Sequence, residues 1–313
     1  YPLHSAKSAK FPLEAAVKYL VLSAAASGFI LFGMALIYAQ TGTLSFASVI
    51  QLPSAGLGDG YTVVALLMIV SGMAFKLSLA PFHMWTPDVY EGAPLPATAY
   101  LATIGKAAMF VVLLRFVQIS EALSFDSMVI VFTFIAAVSM LAGNLLALLQ
   151  DNLKRILAYS SIAHMGYLLL ALVAGHYATG TIAVEAITFY LIAYMIMSLG
   201  AFGVASIISS SEKEFDSINE YQGLFWRNPL LATIFIAMLL SLAGIPLTVG
   251  FIGKFYIFLS GVEAELWALL GVLVLGSGIG LYYYLRIIYR MFMPEEHSLP
   301  YRARGVEGVS SYA

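Results

Sequence analysis

Cysteine and charged residues are what this 313-residue sequence lacks, and each deficit excludes a class of protein. The absence of cysteine excludes a disulfide scaffold and any thiolate-ligated zinc or iron–sulfur site within the chain. Only 10% of the residues are charged, whereas about 25% is usual in a soluble domain. With 61% hydrophobic residues, a soluble fold would have to expose too much apolar surface. A soluble enzyme, a nucleic-acid-binding protein and a disordered protein are therefore excluded, which leaves an integral membrane protein.

Long uncharged stretches indicate the membrane-spanning segments, because a spanning helix needs about 20 mostly apolar residues. Several stretches of that length contain no Asp, Glu, Lys or Arg, namely residues 19–58, 127–150, 156–184, 186–211, 228–253 and 266–285. The sequence predicts an all-α integral membrane protein with about eight transmembrane helices, two of them discontinuous. Their predicted bounds are Leu13–Ala39, Tyr61–Trp85, Ala97–Val117, Met128–Leu149, Leu153–Ala174, Ala183–Ser209, Pro229–Ser260 and Leu266–Tyr289.

The second and seventh segments each contain a helix-breaking proline. The string Leu-Ser-Leu-Ala precedes Pro81 in the second segment and Gly244-Ile-Pro246 in the seventh. Proline removes a backbone hydrogen bond and clashes with the preceding turn. At membrane depth, such a break is tolerated only inside protein or beside a water-filled cavity. Broken helices at corresponding positions of two halves of a chain are typical of transporters.

Three lysines fall inside these segments. Lys76 lies beside the first break, Lys106 near the middle of the third segment, and Lys254 just after the second break. A lysine at the bilayer centre costs about 2.5–3.5 kcal/mol, so a membrane protein keeps one only with a partner, a cavity or a function. Burial disfavours the charged ammonium, so a row of buried lysines can pass protons along. Alternatively, Lys76 and Lys254 reach the headgroups by snorkelling, which is harder for Lys106.

Two histidines add to this pattern. His83 follows Lys76 by seven residues, and His164 lies four residues after Ser160 and three before Tyr167. Those spacings place the last three side chains on one helix face. Such a polar stripe is typical of a proton relay or of a hydrogen-bonded seam between helices. A lone histidine on an apolar helix can also be an ordinary packing residue.

Acidic residues are missing where the lysines would need them. No Asp or Glu falls near the centre of a predicted helix. The carboxylate partners of the lysines are therefore expected from another subunit or from a missing part of the chain. The Gly276-Ser-Gly-Ile-Gly280 string sits in an apolar run and indicates close helix packing rather than a nucleotide loop. Tyr282-Tyr-Tyr284 fits an aromatic belt at a membrane edge.

The basic residues are distributed unequally between the two sides of the membrane. If the N-terminus is cytoplasmic, the opposite side holds only Arg115. The cytoplasmic side then holds Lys7, Lys10, Lys154, Arg155, Lys213, Arg227, Arg286, Arg290, Arg302 and Arg304. This bias predicts eight crossings with both ends of the chain in the cytoplasm.

Specific strings in the sequence resemble a known family. Residues Phe75–Pro94, Asp151–Tyr167 and Leu240–Tyr256 closely resemble the antiporter-like subunit N family of the bacterial proton-pumping NADH–quinone oxidoreductase, respiratory complex I. The resemblance covers roughly residues 13–291, and the strings FHMWTPDVYEGAP and GFIGKF are its most specific parts.

The resemblance implies two inverted repeats of five helices, each with a discontinuous helix, and a polar axis along the middle of the membrane. Lys76, Lys106 and Lys254 would be the pumping lysines of this proton relay, and His83 and His164 would support it. The family pairs the first lysine with a glutamate on the preceding helix. It has fourteen helices, so the chain is expected to be truncated at both ends.

The implied organisation has four parts. Residues 1–12 would be an N-terminal cytoplasmic segment, 13–117 the end of the first repeat, 118–291 the second repeat, and 292–313 a polar tail. The implied partners are other membrane-arm subunits, the lipid bilayer and protons, with no nucleic acid. NADH, FMN, iron–sulfur clusters and quinone would bind in other subunits, and no cofactor or metal in this chain. The implied location is the bacterial inner membrane.

Two other functions stay open at this point. A subunit of a multisubunit cation/proton antiporter, or of a hydrogenase-type membrane complex, would share the broken helices and their lysines. A passive membrane anchor would instead require all three lysines to snorkel. Co-purification with NADH dehydrogenase activity separates the first alternative from complex I, and titration of the lysines tests the second.

Overall fold

The computed structural model describes residues 2–45, 59–177, 181–209 and 214–294. Two sequence predictions lie outside the described residues or their side chains. They are the cytoplasmic charges of Lys7, Lys10, Lys213, Arg302 and Arg304, and the polar tail from residue 295 onward.

All regular elements in the described ranges are helical. The α-helices are α1 (Pro2–Thr41), α2 (Asp59–Leu77), α3 (Trp85–Gly92), α4 (Leu95–Tyr100), α5 (Lys106–Ser120), α6 (Asp126–Leu148), α7 (Leu153–Tyr177), α8 (Ile182–Ile208), α9 (Leu224–Arg227), α10 (Pro229–Ala243), α11 (Val249–Glu263) and α12 (Trp267–Phe292). A π-helical turn over Leu101–Gly105 joins α4 to α5, and 3₁₀ turns cover Ala122–Ser124 and Ile218–Tyr221.

The predicted all-α membrane fold is confirmed. Seven helical spans in the described residues are long and apolar enough to cross a membrane. The predicted seventh segment is broken as expected, into α10 and α11 of 15 residues each. The second segment is also broken, because α2 ends at Leu77 and a short helix resumes at Trp85.

Some predicted boundaries differ from the structure. The chain is already helical from Pro2, so the predicted N-terminal segment 1–12 is largely part of α1. Helix α5 continues to Ser120, so the connection between helices begins at Glu121 and not after Val117. The two-repeat organisation itself stays a prediction.

Helix α7 is the core of the fold. In its most apolar stretch of 18 residues, 94% of the residues are buried. The corresponding share is between 17 and 56% in the other long spans. A helix that is hydrophobic all round is buried on all sides, and α7 packs against α3, α6, α8 and α11. A polar side chain in the buried part of α7 therefore faces other helices rather than lipid.

Glycines allow α6 and α7 to approach closely. A Cβ atom at Gly143 would lie 2.6 Å from the Ala163 nitrogen and 2.7 Å from the Tyr159 oxygen, both backbone atoms of α7. A Cβ atom at Gly166 would likewise meet the Met140 backbone nitrogen at 2.9 Å. Small residues at such contacts are the usual way in which membrane helices pack.

The connection between α6 and α7, the segment before α10 and the end of α12 lie together on one side of the molecule. Arg286 at the end of α12 donates to the carbonyl oxygens of Leu148 and Gln150, just before α7. Gln222, in the segment before α10, donates to the Pro294 oxygen at 2.8 Å. The predicted topology likewise places these three connections on the same side of the membrane.

We expect Gly143→Ala to lower the free energy of unfolding by about 1–3 kcal/mol, because the backbone of α7 cannot yield to the added methyl group. Thermal denaturation of the purified protein in detergent measures this. Gly278→Ala is the matched control, since a Cβ atom there meets nothing within 4 Å. Equal melting temperatures for the two variants would contradict the packing argument.

Candidate functional site

The break between α10 and α11 is encoded by local residues. Gly244 has φ +83° and ends α10, and its amide donates to the Leu240 and Ser241 oxygens. The amide of Ile245 also donates to the Leu240 oxygen, which completes a Schellman-type cap. Pro246 follows, and the Thr248 hydroxyl accepts from the Phe251 amide to begin α11.

Lys254 lies directly against this break. Its side chain is buried at 8% exposure, and Nζ donates to the Leu242 oxygen at 3.1 Å and the Ala243 oxygen at 2.9 Å. The last carbonyls of a helix have no partner within the helix and carry the negative end of its dipole. The broken helix therefore supplies the electronegative partner for this lysine.

Lys106 is held by other groups. It is 1% exposed and follows directly after the π-helical turn, and its Nζ donates to the Ser161 hydroxyl on α7 at 2.6 Å. Nζ also lies 5.6 Å from the centroid of the Tyr90 ring on α3, within the range of a cation–π contact. The burial of Lys106 and Lys254 contradicts the snorkelling interpretation for both.

His164 forms the centre of a cluster of tyrosines on α7, α8 and α12. Its Nδ1 lies 2.6 Å from the Tyr190 hydroxyl oxygen, and its Nε2 lies 3.3 Å from that of Tyr284. The Tyr194 ring centroid is 5.3 Å from that of His164, and its hydroxyl donates to the Ala102 oxygen in the π turn. A hydroxyl can donate or accept, so both ring nitrogens of His164 keep a hydrogen-bond partner in either tautomer of the neutral ring.

Tyr167 connects this region to Lys254. The Lys254 Nζ lies 5.3 Å from the centroid of the Tyr167 ring. The Tyr167 hydroxyl accepts from the Asn144 amide at 2.9 Å, and the Asn144 oxygen accepts from the Tyr283 hydroxyl at 3.1 Å. A Cβ atom at Gly276 would lie 2.8 Å from Asn144 Nδ2, which agrees with the predicted close packing of the glycine string.

The structure thus brings three of the five predicted site residues into one region. Lys106 and Lys254 lie against the middle of α7. There Ser161, His164 and Tyr167 follow one another at helical spacing. Polar groups that can change protonation state alternate here with hydroxyls that can donate or accept a hydrogen bond. Chemically, this arrangement suits proton transfer. In the described ranges, no group of three or more His, Asp or Glu side chains is placed to hold a metal ion.

Lys76 and His83 lie apart from this region. Lys76 is half-buried in the last turn of α2 and lines a cleft of about 230 Å³ with Tyr19, Trp85 and Tyr100. His83 is buried, and neither ring nitrogen has a hydrogen-bond partner among the described residues. Their roles in a relay stay predictions.

Sequence reasoning missed several members of the cluster. Ser161 binds Lys106, although Ser160 was the serine that the helical spacing favoured. Tyr283 and Tyr284 are each 1% exposed, so the prediction of an aromatic belt is wrong for both, whereas Tyr282 is exposed.

The two buried lysines have neutral partners in the described residues. In the part of the chain that the structure describes, neither Lys106 nor Lys254 forms a salt bridge. Lys254 instead contacts two backbone carbonyls and a tyrosine ring, and Lys106 contacts a serine hydroxyl and a tyrosine ring.

The fold and the site define a multi-spanning helical membrane protein with a buried array of ionisable groups. Comparison with known families agrees with this class. The family described as NADH:quinone oxidoreductase/Mrp antiporter, transmembrane, matches residues 1–280. The chain belongs to this family, and the match begins upstream of the resemblance seen in the sequence.

Individual relatives are similar over most of the chain. A protein of Ectopseudomonas mendocina named NADH-quinone oxidoreductase subunit N is 54% identical over 310 residues, which cover 95% of this chain and 61% of that protein. A chain of respiratory complex I from Thermus thermophilus is 39% identical with a TM-score of 0.76, covering 91% of this chain and 61% of that one. A chain of the Mrp complex from Dietzia is 27% identical with a TM-score of 0.82, covering 90 and 51%.

The chain spans between 57 and 61% of the length of the curated relatives that it matches. The similarity therefore establishes the family and the membrane-spanning fold.

We expect Gly244→Ala and Lys254→Ala to be coupled in a double-mutant cycle. A Cβ atom at Gly244 would lie 2.9 Å from Lys254 Cδ, so the methyl group displaces the lysine from its carbonyls. The coupling measured by thermal unfolding should be about 0.5–3 kcal/mol, as for residues in contact.

Gly42→Ala is the matched control, because Gly42 has φ +68° and a Cβ atom there meets nothing within 4 Å. It carries the same backbone strain and should combine additively with Lys254→Ala. Additivity in both cycles would contradict the contact.

Proposed function

We propose that this chain is part of the membrane-arm subunit N of a bacterial NADH–quinone oxidoreductase and that it translocates protons. The single observation that carries the proposal is the burial of Lys106 against Ser161 and of Lys254 against Tyr167, three residues before and after His164, each lysine with hydrogen-bond acceptors but no carboxylate among the described residues. An ammonium held only by neutral acceptors can lose its proton without leaving an unpaired anion behind. The relatives named subunit N support the same assignment.

In the proposed mechanism, a signal from the rest of the complex changes the electrostatic environment of each lysine in turn. Moving one charge against 100 mV costs about 2.3 kcal/mol. A change of two pKa units at one group supplies about 2.7 kcal/mol, so modest rearrangements suffice. Lys106 is the central relay residue, and Lys254 is the exit-side residue.

The hydroxyl groups between the lysines would carry the proton over the intervening distance. Ser161 receives the Lys106 hydrogen bond and lies one turn before His164 on α7. His164 contacts hydroxyls through both ring nitrogens, so it can take a proton on one side and release one on the other. Lys76 and His83 extend the relay toward the first break.

Lys76 has no carboxylate partner among the described residues. We propose that a glutamate outside this sequence pairs with Lys76, as the resemblance to the family implies.

The remaining features of the proposal concern the assembly. NADH, FMN, iron–sulfur clusters and quinone bind in other subunits, and this chain contacts the neighbouring membrane-arm subunits. The protein lies in the inner membrane, and the side that carries Lys154 and Arg286 faces the cytoplasm.

We expect Lys106→Ala and Lys254→Ala each to decrease NADH-driven proton pumping by about 10²-fold, the typical contribution of a positioned acid–base group. The complex should still assemble. Quenching of a pH-sensitive dye in inverted vesicles measures pumping, and native gels measure assembly.

Arg115→Ala is the matched control, because Arg115 is an exposed cation on the same helix α5 as Lys106. It should pump at the wild-type rate. Normal pumping in both lysine variants would refute the assignment.

A subunit of an Mrp-type cation/proton antiporter is the second candidate, since the Dietzia Mrp chain superposes with a TM-score of 0.82 despite 27% identity. The two candidates differ in their energy source. We expect the protein to co-purify with NADH dehydrogenase activity. Cation/proton exchange in vesicles without NADH, together with no such co-purification, would favour the antiporter.

A further inference from the structure

An ion pair between a buried lysine and a partly exposed glutamate lies outside the region of Lys106 and Lys254, at the corner between α3 and α4. Lys154, in the first turn of α7, has a side chain that is only 3% exposed. Its Nζ donates to the Glu91 oxygen at 3.1 Å and to the Ala93 oxygen at 3.2 Å, which are carbonyls at the C-terminal end of α3. The same Nζ pairs with the Glu214 carboxylate.

Glu214 binds the other side of the corner. Its Oε1 accepts from the Leu95 amide at 3.0 Å, and Leu95 is the first residue of α4. The cation thus contacts the negative end of one helix, and the anion contacts the positive end of the next. Each member of the pair also satisfies a backbone group that the helix itself leaves without a partner.

Both helices of this corner, α3 and α4, connect it to Lys106. Helix α3 carries Tyr90, whose ring lies 5.6 Å from Lys106 Nζ. Helix α4 continues through the π turn into α5, which begins with Lys106 itself. The Thr98 hydroxyl closes the corner by donating to the Tyr90 oxygen at 3.1 Å.

Helix α7 contacts both this corner and Lys106. It carries Lys154 in its first turn and Ser161, the hydrogen-bond acceptor of Lys106, two turns later. The position of α3 and α4 relative to α7 therefore sets the distances from Lys106 to Tyr90 and to Ser161. The ion pair contacts all three elements.

We propose that Lys154 and Glu214 are positioning residues for Lys106, and that they act by matching each charge to a helix end at the α3–α4 corner. The inference rests on the proposed proton translocation by Lys106. It assigns a role in that function to two residues that neither line the polar array nor contact its lysines.

Asp216 offers a close comparison. Its Oδ1 lies 3.4 Å from Lys154 Nζ, so it belongs to the same charge cluster, but this oxygen accepts no hydrogen bond from a backbone amide at a helix end in the described residues. Burial raises the pKa of the Asp216 carboxyl despite the nearby lysine, so its charge is not strongly stabilised there. Its backbone oxygen accepts from the Leu153 amide, an interaction that substitution of the side chain preserves.

The test measures NADH-driven proton pumping and NADH oxidation by the assembled complex in inverted vesicles. We expect Lys154→Ala and Glu214→Gln to decrease the protons pumped per NADH by about 10- to 100-fold, the cost of misplacing a reacting group. Lys154→Arg should restore most of the pumping. Asp216→Asn should pump at the wild-type level.

A charge swap separates this role from a simple salt bridge. Lys154→Glu combined with Glu214→Lys keeps an ion pair but reverses both contacts with the helix ends. We expect the swapped variant to pump as poorly as Lys154→Ala. Recovery of pumping in the swapped variant would overturn the proposal, because any ion pair would then suffice.

A second cycle tests whether the pair acts through Tyr90. Tyr90→Leu should impair pumping, and Lys154→Ala should add little to that loss in the double variant. Multiplication of the losses both in this cycle and in the matching cycle with Ser161→Ala would show that the pair acts elsewhere and would overturn the proposal. If only Lys154→Ala fails to assemble, Glu214→Gln tests the proposal instead, because this substitution removes the charge of the side chain but keeps its size.

Lys106→Ala in the same assay distinguishes the two levels of inference. If Lys106→Ala pumps normally, the proposed function fails. If Lys106→Ala loses pumping while Lys154→Ala and Glu214→Gln pump normally, only the positioning role fails.

Discussion

A buried ammonium group needs electronegative neighbours, because transfer from water to a medium of low dielectric removes its hydration. The described residues meet this need without a carboxylate beside Lys106 or Lys254. Lys254 uses the two carbonyl oxygens exposed by the break after α10. Lys106 uses a serine hydroxyl and the face of a tyrosine ring. Neutral partners of this kind stabilise the charged form less than an anion would, so both protonation states stay within reach.

Lys106 and Lys254 each lie beside an irregularity in a helix. The positive φ of Gly244 and the Thr248 cap divide the seventh span directly beside Lys254. The π turn over Leu101–Gly105 immediately precedes Lys106, and its Ala102 oxygen accepts from Tyr194. An unbroken α-helix would keep these carbonyls in its own hydrogen bonds. The deviations from regular helix thus create the acceptors on which the site depends.

The similarity to both respiratory and antiporter chains follows from this design. Broken helices, a central buried helix and neutral partners for lysines do not depend on what drives the complex. A shared membrane-spanning fold can therefore occur in a complex I chain at 39% identity and in an Mrp chain at 27% identity.

Composition and pattern alone predicted the membrane class, about eight apolar segments, both breaks and the presence of lysines within those segments. These properties follow from local physics: apolar length, the backbone chemistry of Gly and Pro, and the cost of burying charge. The sequence could not determine that Ser161 and not Ser160 binds Lys106, or that Tyr283 and Tyr284 face the interior, because those facts depend on which helices surround α7. Nor could it show that Lys154 and Glu214, 60 residues apart, meet at one helix corner. Only the tertiary structure decides such contacts, because the orientation of each helix face is set by packing against neighbours distant in sequence.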